Sequence, residues 1–273
     1  MMQNNVAIAE PSEKIISFGI VNGNKKEKQL TKSGETKKTH SNKEADISSE
    51  VYPLKTKEEI SSVINVLDFK IDIAPTPEKV QIACRNKMMW LIGMNIGIRA
   101  SDLRTLKWSF FFDIENGERV YKEFYSLKPQ KTRKKGKFVK LYFNQTVKQA
   151  INEYLEKYPI SDDGLDNYIF MGREGKPISV QQMWNVVCNT AAEAGIKQNV
   201  GTHTLRKTWA FHCWHDAQDK NKALIVLQRC FNHNSPLTTL GYIGILDTEI
   251  KEMYTSVELG FRDETEERFP IEI

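Results

Sequence analysis

Four segments of this 273-residue chain carry residue types whose spacing suits phosphate chemistry. In GIRASDLRTLKW (97–108) a glycine ends one helix and Arg99 stands at the junction before the next, placed to project its fork into a cleft, with Asp102 close behind. In QKTRKKGKFVKL (130–141), Lys131, Arg133, Lys134, Lys135, Lys137 and Lys140 follow Lys128, seven basic side chains from 128 to 140 with no acid among them. HTLRKTWAFHCWH (203–215) sets His203 and Arg206 three residues apart, on one face of a helix's first turn. FNHNSPLTTLGYIGI (231–245) offers His233, a Ser-Pro turn, two threonines and then Tyr242.

Together these residues are the parts for phosphoryl transfer through a covalent phosphotyrosine. A phosphodiester transition state spreads extra negative charge over its non-bridging oxygens, and two guanidinium forks with imidazole donors can hold that charge without a metal. A phenol, with an ordinary pKa of about 10, attacks phosphorus only with a cationic site and a base beside it. The departing deoxyribose oxygen needs a proton, which an ammonium on a flexible hairpin can deliver. Tyr242 is the expected nucleophile and not Tyr254, whose neighbouring carboxylates oppose phenolate formation.

His212, Cys213 and His215 share one helical segment but lack a CxxC or HExxH companion and a source for a fourth ligand, so no metal and no cofactor is expected. Packing around Trp209 and Trp214 is the preferred reading of that helix. Cys84, Cys188, Cys213 and Cys230 are scattered without paired spacing and read as reduced thiols of a cytoplasmic protein. There is no run of about 20 apolar residues to span a bilayer, and no charged-then-apolar leader with a cleavage site.

The elements that must position these groups read as mainly helical. Residues 20–50 are polar, Lys-rich and without apolar periodicity, the pattern of a disordered or extended arm. Thr56 with Glu59 forms a capping box for a helix over 57–67, and APTPEK (74–79) reads as a linker. A buried helix over 88–96 ends at Gly97, and Ser101-Asp102 opens the next. VYKEFYSL and KFVKLYF read as two strands of one hairpin with the basic turn between them. Helices follow over 147–158, 180–195, 203–217 and 222–231. The expected fold class is α+β, mainly α with a small inserted antiparallel sheet.

Charge points to the partner. The net +4 conceals a middle section, 51–245, at +9 and a C-terminal section, 246–273, at −6. A basic body suits an anionic polymer, most simply double-stranded DNA. The acidic tail carries Ile250, Met253, Val257, Leu259 and Phe261, which include an apolar stripe at helical spacing that must be buried against protein.

On these residues the chain resembles the catalytic domain of the tyrosine recombinases, the phage-integrase family. GIRASDLRTLKW is similar to the family's first-Arg motif with Asp102 at its acidic position, Lys131 in QKT matches the hairpin Lys, and HTLR matches His-x-x-Arg. FNHNS falls on the family's Leu-Gly-His-x-Ser, with Tyr242 nine residues after His233. The resemblance implies a site-specific recombinase. Arg99 and Arg206 would clamp the scissile phosphate, Tyr242 attack, Lys131 protonate the leaving 5′-oxygen, His203 act as base or donor, and His233 donate to a phosphate oxygen. Asp102 would orient Arg99 or its helix.

The resemblance further implies a homo-oligomer, a dimer on one site and a tetramer on paired sites, with the C-terminal helix docking between protomers. Two departures stand out. Phe231-Asn232 replaces Leu-Gly, and about fifty polar residues stand where the family carries a core-binding domain. The expected plan is an arm over 1–50, a catalytic domain over 51–250 and an acidic tail over 251–273. A DNA-binding regulator without strand transfer, and a relaxing topoisomerase without site preference, are the competing readings.

Overall fold

The computed structural model describes residues 50–131 and 138–257, without the side chains of 246–249. The expected arm, apart from Glu50, lies outside those residues, as do Arg133, Lys134, Lys135, Lys137 and the tail after Val257.

Helix α1 (Lys57–Asp72) starts at the capping box: the Thr56 hydroxyl accepts from the Glu59 amide while the Glu59 carboxylate reaches back to the Thr56 amide. It runs past the expected end at Leu67. Helix α2 (Pro77–Ile96) corrects the linker reading, because Thr76 is a second N-cap and Pro77 sits in the first turn, where its missing N–H costs nothing. Met88, Met89, Trp90 and Ile92 are buried, and α2 is the central helix against which α1, α4 (Gln145–Lys157) and α6 (Thr202–His215) pack. Gly97 ends it at φ 60, and α3 (Ala100–Leu103) follows with Arg99 in the N-cap position.

The expected single hairpin is two. Strands β1 (Phe112–Glu115) and β2 (Glu118–Tyr121) form one antiparallel pair, β3 (Phe124–Leu127) and β4 (Val139–Tyr142) the other. The first turns at Asn116-Gly117, both at positive φ, the geometry that matches strand twist in a two-residue turn. VYKEFYSL breaks at Lys122, whose amide donates to the Phe111 carbonyl and whose ammonium pairs with Asp113 at 2.9 Å.

Helix α5 (Val180–Glu193) opens on a Ser179 capping box, α7 (Lys220–Phe231) on Asp219 and α8 (Pro236–Tyr242) on Ser235. Helix α9 (Ile245–Ser256) runs through residue 250. Two apolar clusters result. One spans α1 to α5 and reaches Leu205. The second joins Ala210, Phe211, Leu227, Phe231, Ile243 and Ile245. Helix α6 belongs to both, so it ties the α2–α3 junction to the segment that carries Tyr242. The fold is mainly α with small antiparallel sheets. Among the described residues no helix is long and apolar enough to cross a membrane.

Candidate active site

Arg99, His203, Arg206, His233 and Tyr242 come together. The junction after α2 works because Gly97 adopts a left-handed backbone and lies flat on Trp209, where a Cβ would stand 2.1 Å from the indole. The Gly97 carbonyl accepts a 2.6 Å hydrogen bond from Nη1 of Arg206, which is 7% exposed. Arg206 also stacks on the Phe231 ring at 4.1 Å, and its charge acts on the Tyr242 phenol. The phenylalanine that departs from the family pattern is therefore the platform for this guanidinium. The Arg99 side chain, half-buried, makes no hydrogen bond among the described residues and lines the same cleft as Arg206. Two cations facing one cleft, neither in a salt bridge with a carboxylate among the described residues, make a ready anion site.

Tyr242 is the last residue of α8. Its Oη lies 3.2 Å from Nδ1 of His203, in the first turn of α6. Burial, then the charges of Arg206, Arg99, Lys207 and Lys131, hold the His203 pKa below its ordinary value. The imidazole is thus neutral near pH 7, and with its proton on Nε2 the bare Nδ1 can accept the phenol's O–H. Tyr242 itself is pushed up: burial outweighs Arg206 and Arg99, so the free site holds a protonated phenol. His233 Nδ1 lies 3.0 Å from the buried Thr239 hydroxyl, and its ring packs against Phe231 and Tyr242. Burial, with Arg206 and Arg99, lowers its pKa as well.

Asp102, 2% exposed, accepts the backbone N–H of Gln130 at 2.8 Å. The Gln130 amide donates to the Ser101 carbonyl and the Thr105 hydroxyl. The Asp102 carboxylate thus ties α3, the helix that Arg99 caps, to the hairpin root, and it fixes the residue immediately before Lys131. Lys131 is exposed, and its charge reaches His203. Lys128 and Lys140 lie exposed on the hairpin flanks, over the rings of Phe138 and Phe124.

The structure adds Lys207, buried beside Tyr242, and the segment Glu50–Lys55 that pairs with it. A lysine following Arg206 looks like a solvated charge, and nothing in the local sequence signals otherwise. Of the candidate metal residues, His212 is bonded to the Leu54 carbonyl and His215 to Asp216. Among the described residues no group of three His, Cys, Asp or Glu stands ready for a metal.

The fold is that of tyrosine recombinase catalytic domains. It matches the XerH site-specific recombinase in its post-cleavage complex with a palindromic difH substrate (TM-score 0.53, 20% identity), covering 77% of this chain and 54% of that one. It also matches XerA recombinase (TM-score 0.51, 19% identity), covering 79% and 66%. The phage integrase family model matches residues 69–249, and the chain belongs to that family. It is similar to the probable integrase/recombinase YoeC of Bacillus subtilis, 32% identical over 62% of this chain and 83% of the relative. The tyrosine recombinase XerD of Corynebacterium glutamicum is 30% identical over 41% of this chain but only 36% of its own length.

Proposed function

We propose that this chain cleaves and rejoins double-stranded DNA at specific sites through a covalent 3′-phosphotyrosine. The observation that carries the reading is Tyr242 Oη held 3.2 Å from a neutral His203, with the buried Arg206 charge acting on the same phenol. The phenol passes its proton to His203 as its oxygen attacks phosphorus. Arg99 and Arg206 hold the non-bridging oxygens, and in the tautomer whose Nδ1 accepts from Thr239, His233 presents an Nε2–H to one of them. Lys131 gives a proton to the 5′-oxygen as the P–O bond breaks. The ester to Tyr242 conserves the bond, so an incoming 5′-hydroxyl reverses the steps without external energy.

The hairpin lysines Lys128 and Lys140, with Arg133, Lys134, Lys135 and Lys137 outside the described residues, would track the phosphate backbone. Dimers on one site and tetramers on paired sites are proposed. Exposed Ile250, Met253 and Val257 on and beside α9 support docking of the tail on a neighbouring protomer, and Leu259 and Phe261 lie outside the described residues. The reaction needs no cofactor, and the protein is placed in the cytoplasm.

Nicked duplexes that lose a short fragment after cleavage, so that religation fails, test the reading. A covalent protein–DNA band with wild type and none with Tyr242→Phe is expected. Binding without any band would favour a regulator, and relaxation of any supercoiled plasmid a topoisomerase.

A further inference from the structure

The segment Glu50–Lys55 lies across α6 and reaches the end of α8. The Asn199 side chain donates to the Glu50 carbonyl at 2.7 Å, and the Tyr52 amide donates to the Asn199 carbonyl at 2.9 Å. Leu54 is fully buried; its amide donates to the Thr208 hydroxyl and its carbonyl meets His212 Nε2. The Lys55 ammonium donates to the carbonyl of Gly244 at 3.0 Å, two residues beyond Tyr242. A strap thus fixed at both ends cannot shift without moving what it holds.

What it holds lies beside the phenol. Lys207, one residue after Arg206, has a side chain only 6% exposed, and its ammonium pairs with Glu50 Oε1 at 2.8 Å. The same ammonium stands 5.1 Å from the centroid of the Tyr242 ring and 5.9 Å from that of Tyr52. A cation at that range attracts the ring face, and a carboxylate beside it offsets the cost of burying the charge. Phe231 and His233 pack edge-on against Tyr242 at 5.1 and 5.4 Å. Helix α6 therefore grips Tyr242 twice, at the hydroxyl through His203 and at the ring through Lys207, and the second grip needs Glu50.

We propose that Glu50 and Lys207 are positioning residues for the nucleophile, and that the strap couples whatever precedes residue 50 to the rate of strand cleavage. Undocking the strap would leave Lys207 a buried cation without the carboxylate that fixes it, so its hold on the Tyr242 ring loosens while its charge stays beside His203. The inference rests on Tyr242 being the nucleophile.

Three readouts test it. At saturating nicked DNA, single-turnover formation of the covalent complex should fall about 10- to 100-fold in Glu50→Gln and in Lys207→Met, the loss expected when a reacting group is displaced by about 1 Å, with DNA affinity unchanged. The double variant should be no slower than Lys207→Met alone, because the two side chains act as one unit. The acid limb of the rate should move in opposite directions. His203 faces Arg99, Lys131, Arg206, Lys207 and the Tyr242 phenol, so baring Lys207 in Glu50→Gln shifts the limb to lower pH. Removing that charge in Lys207→Met shifts it to higher pH. A variant that merely loosens the fold moves neither limb in this paired way.

Hydrogen exchange at the amides of Ile243 and Gly244, which close the end of α8, reads the coupling without any cleavage and should quicken in both variants. Unchanged rates and unchanged exchange would overturn the proposal. A wild type that forms no covalent complex would overturn the recombinase reading instead, and exchange would still decide whether the strap holds Tyr242.

Discussion

Gly97→Ala probes the joint on which both arginines depend. Residue 97 sits at φ 60, and an alanine in that left-handed region costs about 1–2 kcal/mol. The new Cβ would stand 2.1 Å from Cε3 and 2.3 Å from Cδ2 of Trp209, so the indole must retreat by more than an ångström while it is packed against Phe231. Overpacking of that kind costs about 1–3 kcal/mol. The total, about 2–5 kcal/mol, is a large part of the stability of an ordinary domain. Gly117→Ala is the internal control: φ is 81 at the tip of the β1–β2 turn, yet nothing lies within 4 Å of its Cβ. It should cost the backbone term alone. Urea unfolding of the two variants isolates the difference, expected at about 1–3 kcal/mol. Because the Gly97 carbonyl accepts from Arg206, Gly97→Ala should also slow covalent-complex formation, whereas Gly117→Ala should not. Equal destabilisation by the two substitutions would refute the reasoning.

Three further outcomes follow from the same geometry. Protonation of His203 removes the acceptor for the phenol's proton, and its pKa lies below the ordinary 6.5, so the acid limb of the cleavage rate should have its midpoint below pH 6.5; a midpoint at or above 6.5 would contradict this. Lys131→Ala should cleave ordinary DNA very slowly but recover most of its rate on a 5′-bridging phosphorothiolate, whose thiol pKa of about 8.5 makes protonation unnecessary, while Arg99→Ala should not recover. Rescue in Lys134→Ala or Lys135→Ala instead would move the acid to another lysine of the finger. Truncation after Thr248 removes the exposed Ile250 and Met253 and should weaken assembly on paired sites more than binding to one site, as gel-shift titrations would read; equal losses would argue against docking between protomers.

The residues that gather in the cleft were legible in the sequence because they sit in short runs with local signals. Thr56 and Glu59 announced α1, Gly97 the end of α2, and the three-residue spacing of His203 and Arg206 a shared helical face. Two departures from the sequence expectation carry signals of their own. Thr76-Pro77-Glu78 starts a helix where the sequence reads as a linker, and Asn116-Gly117 turns a first hairpin ahead of the expected one. Lys207, Glu50 and the role of Asp102 were not legible. Each depends on a contact between residues far apart in the chain, such as Glu50 with Lys207 or Asp102 with Gln130, and no local pattern encodes that pairing.

The central claim is that Tyr242 forms a covalent bond to DNA. Mass spectrometry of the trapped complex, after nuclease and protease digestion, locates the nucleotide on one peptide. The account predicts a phosphodiester on Tyr242, linked to the 3′ end of the cleaved strand, and its absence in Tyr242→Phe. An adduct on Tyr254 or on any other residue, or one linked to a 5′ end, would contradict it.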